Sequence, residues 1–239
     1  MKSKKGKKVF KKLEVLNKTQ HKNKGIEEVT NFSYSKELMN APIAISEFFE
    51  ACKNYPIFFA KDKDNNWFAS ILLGYKQGEN LFLDKKGNWK ELHYIPAFVR
   101  SYPFVLVNKE NQKDLVIAIE GEYLTQKEGA KKLFDEEGNN SEFLNSALNF
   151  LNQYYADSLS TTQFIKQLED WELLEEKIAT VVNTKGEKFS LNGFFVVNEE
   201  KLKHLSKKKK DDICAKNAYS LITAHLISLS NLQKLGAIK

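Results

Sequence analysis

Arg100 is the single arginine in a chain of 239 residues, and every other basic side chain except its four histidines is a lysine. It stands in Tyr94-Ile95-Pro96-Ala97-Phe98-Val99-Arg100-Ser101-Tyr102-Pro103-Phe104, bracketed by prolines and surrounded by aromatic rings. A guanidinium presents five donors in a rigid planar fork, which grips a carboxylate or phosphate in two-point fashion where an ammonium makes only a point contact. Two roles follow. The favoured one is a structural clamp, in which Arg100 holds Asp84 or Glu120 and locks the central β segments together; breaking such a buried pair costs about 3–5 kcal/mol. The other is an anion receptor, with Tyr102 and Trp89 as walls of the pocket.

His225 is the second residue with chemistry in it. It lies on the apolar stripe Cys214, Ala218, Leu221, His225, Leu229, Leu232, so a helix there places it on the buried face. A core histidine hydrogen-bonded to the main chain is the plain expectation. The sharper one is a general base or ligand contact sharing a pocket with Arg100, since imidazole titrates near neutrality. Arg100, Tyr102, Trp89 and His225 are therefore the candidate ligand-binding residues, with no catalytic or metal-binding set assigned.

Other chemistries find no motif. There is neither GxxxxGK[ST] nor GxGxxG, and the glycines at 74, 78 and 87 are separated by strand and turn residues. No HExxH or close histidine pair exists, because His21, His93, His204 and His225 are scattered. Cys52 and Cys214 have no CxxC partner, which suits buried thiols in a reducing compartment. The expectation is a protein with no cofactor.

The net charge of +6 is unevenly placed. Residues 1–24 carry ten lysines against Glu14, a local charge of +9, which leaves −3 on the rest of the chain. This leader, with Val9, Phe10, Leu13 and Leu16 at helical spacing, is expected to be flexible over 1–25. A weak contact with an anionic surface, lipid or nucleic acid, is its candidate role. Lysines 11 and 12 interrupt any secretory apolar core, and no stretch reaches the ~20 apolar residues of a membrane span. A soluble, cytoplasmic protein is expected, with signal-less export left open.

The elements that must position Arg100 read as α+β: a β-rich part over 55–120, a mainly helical part over 141–239, and one domain over 26–239. Ser46 reads as the cap of a short helix through Phe48, Phe49 and Cys52. Hairpins are expected at 57–60 with 67–75, at 104–107 with 115–119, and at 178–182 with 189–197. Polar turns lie at 61–66, 84–87, 135–138 and 183–186. Pro96 opens a one-turn helix and Pro103 closes it, with Arg100 near its C-terminal end. Ser141 caps a helix through Tyr155, a second helix runs from Phe164 to Trp171, and helices follow at 199–205 and 214–235. The Lys207–Lys210 run, a charge run at a helix start, reads as a solvated turn.

Several blocks together resemble the bacterial SapC family: Tyr55-Pro-Ile-Phe-Phe59, Leu73-Gly-Tyr75, Gly78-Glu-Asn-Leu-Phe-Leu-Asp84 with Gly87-Asn-Trp89, the Arg100 segment, Leu133-Phe-Asp-Glu-Glu-Gly138, Phe194-Phe-Val-Val-Asn-Glu-Glu-Lys-Leu202 and Ala224-His-Leu-Ile-Ser-Leu-Ser-Asn-Leu232. The resemblance covers residues 30–236 and leaves the leader outside. It implies an accessory role at the surface layer, with an envelope-biogenesis protein as partner, and supplies no catalytic residues to transfer. A non-enzymatic binder of a protein or small anionic ligand is the leading expectation. The alternative is an enzyme or ligand-processing domain acting on a peptide or saccharide, with Arg100 and His225 in its pocket.

Overall fold

The computed structural model describes residues 9–108 and 115–238. In chain order its elements are β1 (Leu13–Val15), α1 (Lys18–His21), β2 (Gly25–Ile26), β3 (Asn40–Ile43), α2 (Phe48–Ala51), β4 (Ile57–Lys61), β5 (Trp67–Leu72) and α3 (Ala97–Arg100). Then follow β6 (Phe104–Asn108), β7 (Leu115–Glu120), β8 (Leu124–Thr125), β9 (Lys131–Lys132), α4 (Glu142–Asp170), β10 (Leu174–Val182) and β11 (Lys188–Val197). The chain ends with α5 (Glu199–Lys203), α6 (Lys207–Ala215), α7 (Ala218–Ser228) and α8 (Asn231–Ala237). The fold is α+β, strand-rich first and mainly helical afterwards.

Five strands form the principal sheet in the order β10-β11-β4-β5-β3. Side chains alternate across a strand, and here Phe59 meets Phe164 of α4 and His225 of α7, whereas Phe58 meets Phe194 on the opposite face. The β10–β11 hairpin bends as it leaves β4, and its Val182 carbonyl lies against Gly236 of α8. A register shift between Lys177 and Ala179, with Gly193 at a φ of 78°, supplies the bend. A second sheet, β1-β7-β6, and a small third one, β8-β2-β9, complete the strands.

Two apolar cores result, and α4 joins them. Its N-terminal Leu144 and Leu151 pack with Ile26, Phe104, Ile119 and Leu133, while Phe164, Ile165 and Leu168 belong to the core under the principal sheet. Twenty-nine helical residues span about 43 Å, long enough to reach from one core to the other. The sequence pattern suggests two helices here, yet no Gly or Pro interrupts 142–170. The polar Ser160-Thr161-Thr162 run stays helical because each hydroxyl bonds back to the carbonyl four residues earlier. Ser141 caps the helix as expected, its Oγ accepting from Leu144 N–H at 3.1 Å.

Three further expectations change. Ser46 does not cap α2: its hydroxyl donates to Asp157 at 2.7 Å, and the Glu47 carboxylate takes the Ala44 N–H instead. The helix expected over 214–235 is broken, because Asn217 adopts left-handed φ (52°) before α7 and the chain turns again at Ser230 before α8. The lysine run 207–210 does stand at a helix start, but as the first turn of α6 itself and not a solvated turn, with Ser206 as cap and Lys207 paired to Asp211 at 2.8 Å one helical turn on.

The four polar turns share one construction. In 62–66, 84–88, 135–139 and 183–187 the first residue's N–H donates to the fifth carbonyl, and the fourth residue's N–H to the first carbonyl. The fourth position has positive φ each time (Asn65, Gly87, Gly138, Gly186), and the first side chain is an Asp or Asn that accepts main-chain N–H groups within its own turn.

The leader boundary expected at residue 25 falls inside β2. Residues 13–15 form the edge strand β1 on β7, in the register Leu13↔Glu120 and Val15↔Ala118; residues 1–8 lie outside the described residues.

Candidate functional site

Arg100 is placed by a helix of one turn. Pro96 has the fixed φ (−58°) that suits the start, and its carbonyl accepts from Val99 and Arg100 N–H at 2.9 Å. Val99, 1% exposed, turns into the core, so the next side chain along the turn, Arg100, points out to solvent. Its Nε donates to the Ile95 carbonyl at 3.0 Å and its Nη2 to Tyr94 Oη at 3.2 Å. The guanidinium carbon stands 5.1 Å from the Phe150 ring centre and 5.8 Å from that of Tyr94, within cation–π range of both.

That geometry removes the clamp. Among the described residues no carboxylate lies within ion-pair distance of Arg100. Asp84 is taken up by its own turn, accepting from Lys86 and Asn88 N–H at 2.8 Å. Glu120, fully buried, accepts from the main-chain N–H groups of Lys11 and Lys12 at 2.6 and 2.9 Å. Both supposed partners are committed to backbone donors, whose fixed directions a carboxylate satisfies without a countercharge.

Behind Arg100 stands a residue that sequence reasoning missed. Glu47 is 5% exposed; its Oε2 accepts from Ala44 N–H at 2.8 Å, and its Oε1 from Ala97 N–H at 2.7 Å and from Tyr94 Oη at 3.0 Å. Burial raises its pKa above the ordinary carboxylate value, opposed by those donors and by the Arg100 charge. The side chain therefore ties α3 to the 3-10 turn before α2 and fixes the tyrosine that orients Arg100. No local motif signals this, because the Glu47 partners lie 47 and 50 residues away.

The guanidinium borders a recess of about 300 Å³. Phe143, Ala147 and Phe150, one face of α4, make its apolar wall, and Lys131 of β9 is a second cation on the lining, its Nζ 5.6 Å from the Phe143 ring. Glu27 and Glu28 also line it, Glu27 paired with Lys127 at 3.1 Å. Phe143, Ala147 and Phe150 are spaced i, i+4, i+7, the signal by which an apolar helix face is found; nothing local links them to Arg100.

The other candidate residues divide. Tyr102 lines this recess; Trp89 and His225 do not. Trp89 is 7% exposed and acts through the scaffold: its indole N–H donates to Tyr55 Oη at 3.0 Å, and that hydroxyl donates to the Tyr94 carbonyl. His225 is fully buried, stacked 4.6 Å from Phe59, with Nε2 accepting from Val197 N–H at 3.0 Å. Burial pulls its pKa down to about 3, opposed by the Ile57 main chain, so the ring is neutral and Nδ1 carries the hydrogen. Among the described residues Nδ1 has no hydrogen-bond partner. Among the same residues no group of three His, Cys, Asp or Glu is gathered for a metal, and no helix is long and apolar enough to cross a membrane.

No curated protein and no solved structure matches this sequence. A family model does, over residues 16–235, so that it includes β2, the Arg100 helix, α4 and the helical end as far as Leu235 of α8. The recess and the residues that orient Arg100 all fall inside that span, and the chain belongs to the SapC family.

Proposed function

We propose that this SapC protein is a non-enzymatic binding protein, accessory to surface-layer or surface-protein biogenesis, whose Arg100 recess receives a carboxylate or phosphate of its partner. The observation that carries this reading is the oriented, uncommitted fork. Two of its nitrogens are used for positioning by Ile95 and Tyr94, while Nη1 makes no hydrogen bond among the described residues. Pre-orientation of this kind lowers the entropic cost of gripping an anion. Phe143 and Phe150 give the body of the ligand an apolar wall, and Lys131 is a second cation on a lining that also holds Glu28 and the Lys127-paired Glu27.

The surface-layer assignment rests on family membership, and the binding assignment on the recess. The catalytic reading that pairs Arg100 with His225 loses its support, because His225 faces Phe59 and Val197 in the core. Affinity purification from the native cell tests both assignments. Tagged protein is expected to enrich a surface-layer, secretion or envelope component, and Arg100→Gln to lose it. No enrichment over an untagged control would sink the proposal.

A further inference from the structure

A second recess opens on the far side of Tyr102. It encloses about 360 Å³, and Tyr102 borders both it and the Arg100 recess. Its walls are aromatic. Tyr34 stacks on Tyr102 with ring centres 3.7 Å apart and planes 8° from parallel, and Tyr123 meets Tyr102 edge-on at 5.3 Å.

The leader closes the recess. Val9 and Lys11 line it, and Phe10 between them packs 5.4 Å from Tyr102. This wall stands because the buried Glu120 carboxylate holds the Lys11 and Lys12 N–H groups, Gly121 N–H donates to the Lys12 carbonyl at 2.8 Å, and β1 then pairs along β7. Lys11 Nζ closes the rim on Glu122 at 3.1 Å. The recess is therefore assembled from four separate stretches of chain, around residues 9–11, 33–37, 102 and 122–123.

Like the Arg100 recess it sets two cations against two carboxylates, but its cations are lysines alone, with no guanidinium fork. Lys11 and Lys36 are balanced by Glu37 and Glu122, so the lining is neutral overall and rich in groups that exchange hydrogen bonds with hydroxyls. Tyrosine faces carry negative charge density that attracts polarised C–H groups. Aromatic walls with a few polar groups are the usual make-up of a small-molecule site. Without a guanidinium fork an anion gains little here, and an aliphatic tail would strip water from the Lys11–Glu122 pair. We infer that this recess binds a neutral saccharide ring, and that docking of the leader on β7 completes the site. The inference is independent of the anion reading, because none of the side chains it turns on is Arg100.

Saturation-transfer NMR on the full chain tests it, with maltotriose and an N-acetylglucosamine trimer as probes and acetate as the anion control. Transfer to sugar C–H protons is expected, with a Kd of about 1 mM. Tyr123→Ser should weaken binding about tenfold, whereas Tyr123→Phe, which keeps the ring face, should stay within about twofold. Arg100→Gln should leave sugar binding unchanged. Glu120→Gln should weaken it as Tyr123→Ser does; if that variant fails to fold, Lys12→Pro removes one of the two leader N–H donors and reads the same coupling. Absence of transfer to both sugars, equal transfer in Tyr123→Ser, or displacement of sugar by acetate would each overturn the inference.

Discussion

Glu47 and Arg100 are one phenol apart: Tyr94 Oη donates to Glu47 Oε1 at 3.0 Å and accepts from Arg100 Nη2 at 3.2 Å. The carboxylate is buried and the guanidinium exposed, so the tyrosine transmits position without forming an ion pair. An orienting chain of this kind leaves the outer edge of the guanidinium free. A clamp would have consumed it.

Arg100→Lys separates those two roles. The lysine keeps the charge and loses the fork. Because Arg100 is exposed and has no ion-pair partner among the described residues, stability in urea should change by less than about 1 kcal/mol. A loss of about 3 kcal/mol or more would restore the buried clamp.

Acid titration has two opposing contributors. The folded His225 value of about 3 lies below the ordinary 6.5, so the unfolded chain binds the proton first as pH falls. Its contribution is complete above pH 6.5 and is lost toward pH 3, at a slope of at most about 1.4 kcal/mol per unit. Glu47 has the other sign. Its folded pKa is above the ordinary 4.5, so its contribution is complete below 4.5 and diminishes as pH rises through the raised value. Urea midpoints between pH 4.5 and 6.5 should rise less steeply in His225→Gln than in the parent, and more steeply in Glu47→Gln. A slope unchanged in both variants would contradict these assignments.

Glu120→Ala should loosen the leader more than the fold. Two main-chain donors lose their acceptor, a local cost of about 1–3 kcal/mol. Amide exchange should accelerate at 13–16, where β1 pairs with β7 and Leu16 N–H meets the Ile117 carbonyl. Exchange in β4 and β5 should stay as it was. Equal acceleration in both sheets would mean that the leader carries global stability.

Gly87 and Gly129 have the same φ of 84°, yet a Cβ on Gly87 would collide with the Ser33 hydroxyl and one on Gly129 would meet nothing within 4 Å. Backbone strain is common to both alanine variants, at about 1 kcal/mol. Gly87→Ala should therefore be clearly the less stable in thermal melts. Equal melting temperatures would show that Ser33 simply moves aside.

What could be read from the chain was what is encoded locally. The Asp84 and Asp135 turns, the Ser141 cap and the proline-opened helix of Arg100 each depend on residues within about five positions. The strands on either side of the Asp62 and Asn183 turns were legible for the same reason. The Glu47 role was hidden because its partners are distant, and Ser46 beside it offered a plausible local cap. Glu120 was expected to hold Arg100, but its donors come instead from a leader whose lysines suggested solvent and not a strand. The single α4 was concealed by serines and threonines that look like a boundary until their hydroxyls are seen bonding back along the helix. The recess itself is built from β2, α3, β9 and α4 together, a combination fixed by packing.

Uniqueness makes Arg100 directly observable. As the chain's one arginine, it gives one Nε–H resonance, free of overlap with any other guanidinium. Benzoate and phenyl phosphate carry an anion on an aromatic body that suits the Phe143 and Phe150 wall. Titrated to about 10 mM, either should move that resonance along a saturating curve, with parallel shifts in the two phenylalanine rings and none at His225. A resonance that does not move, or that moves no differently from the lysine signals, would contradict the assignment of this recess as the anion-binding site.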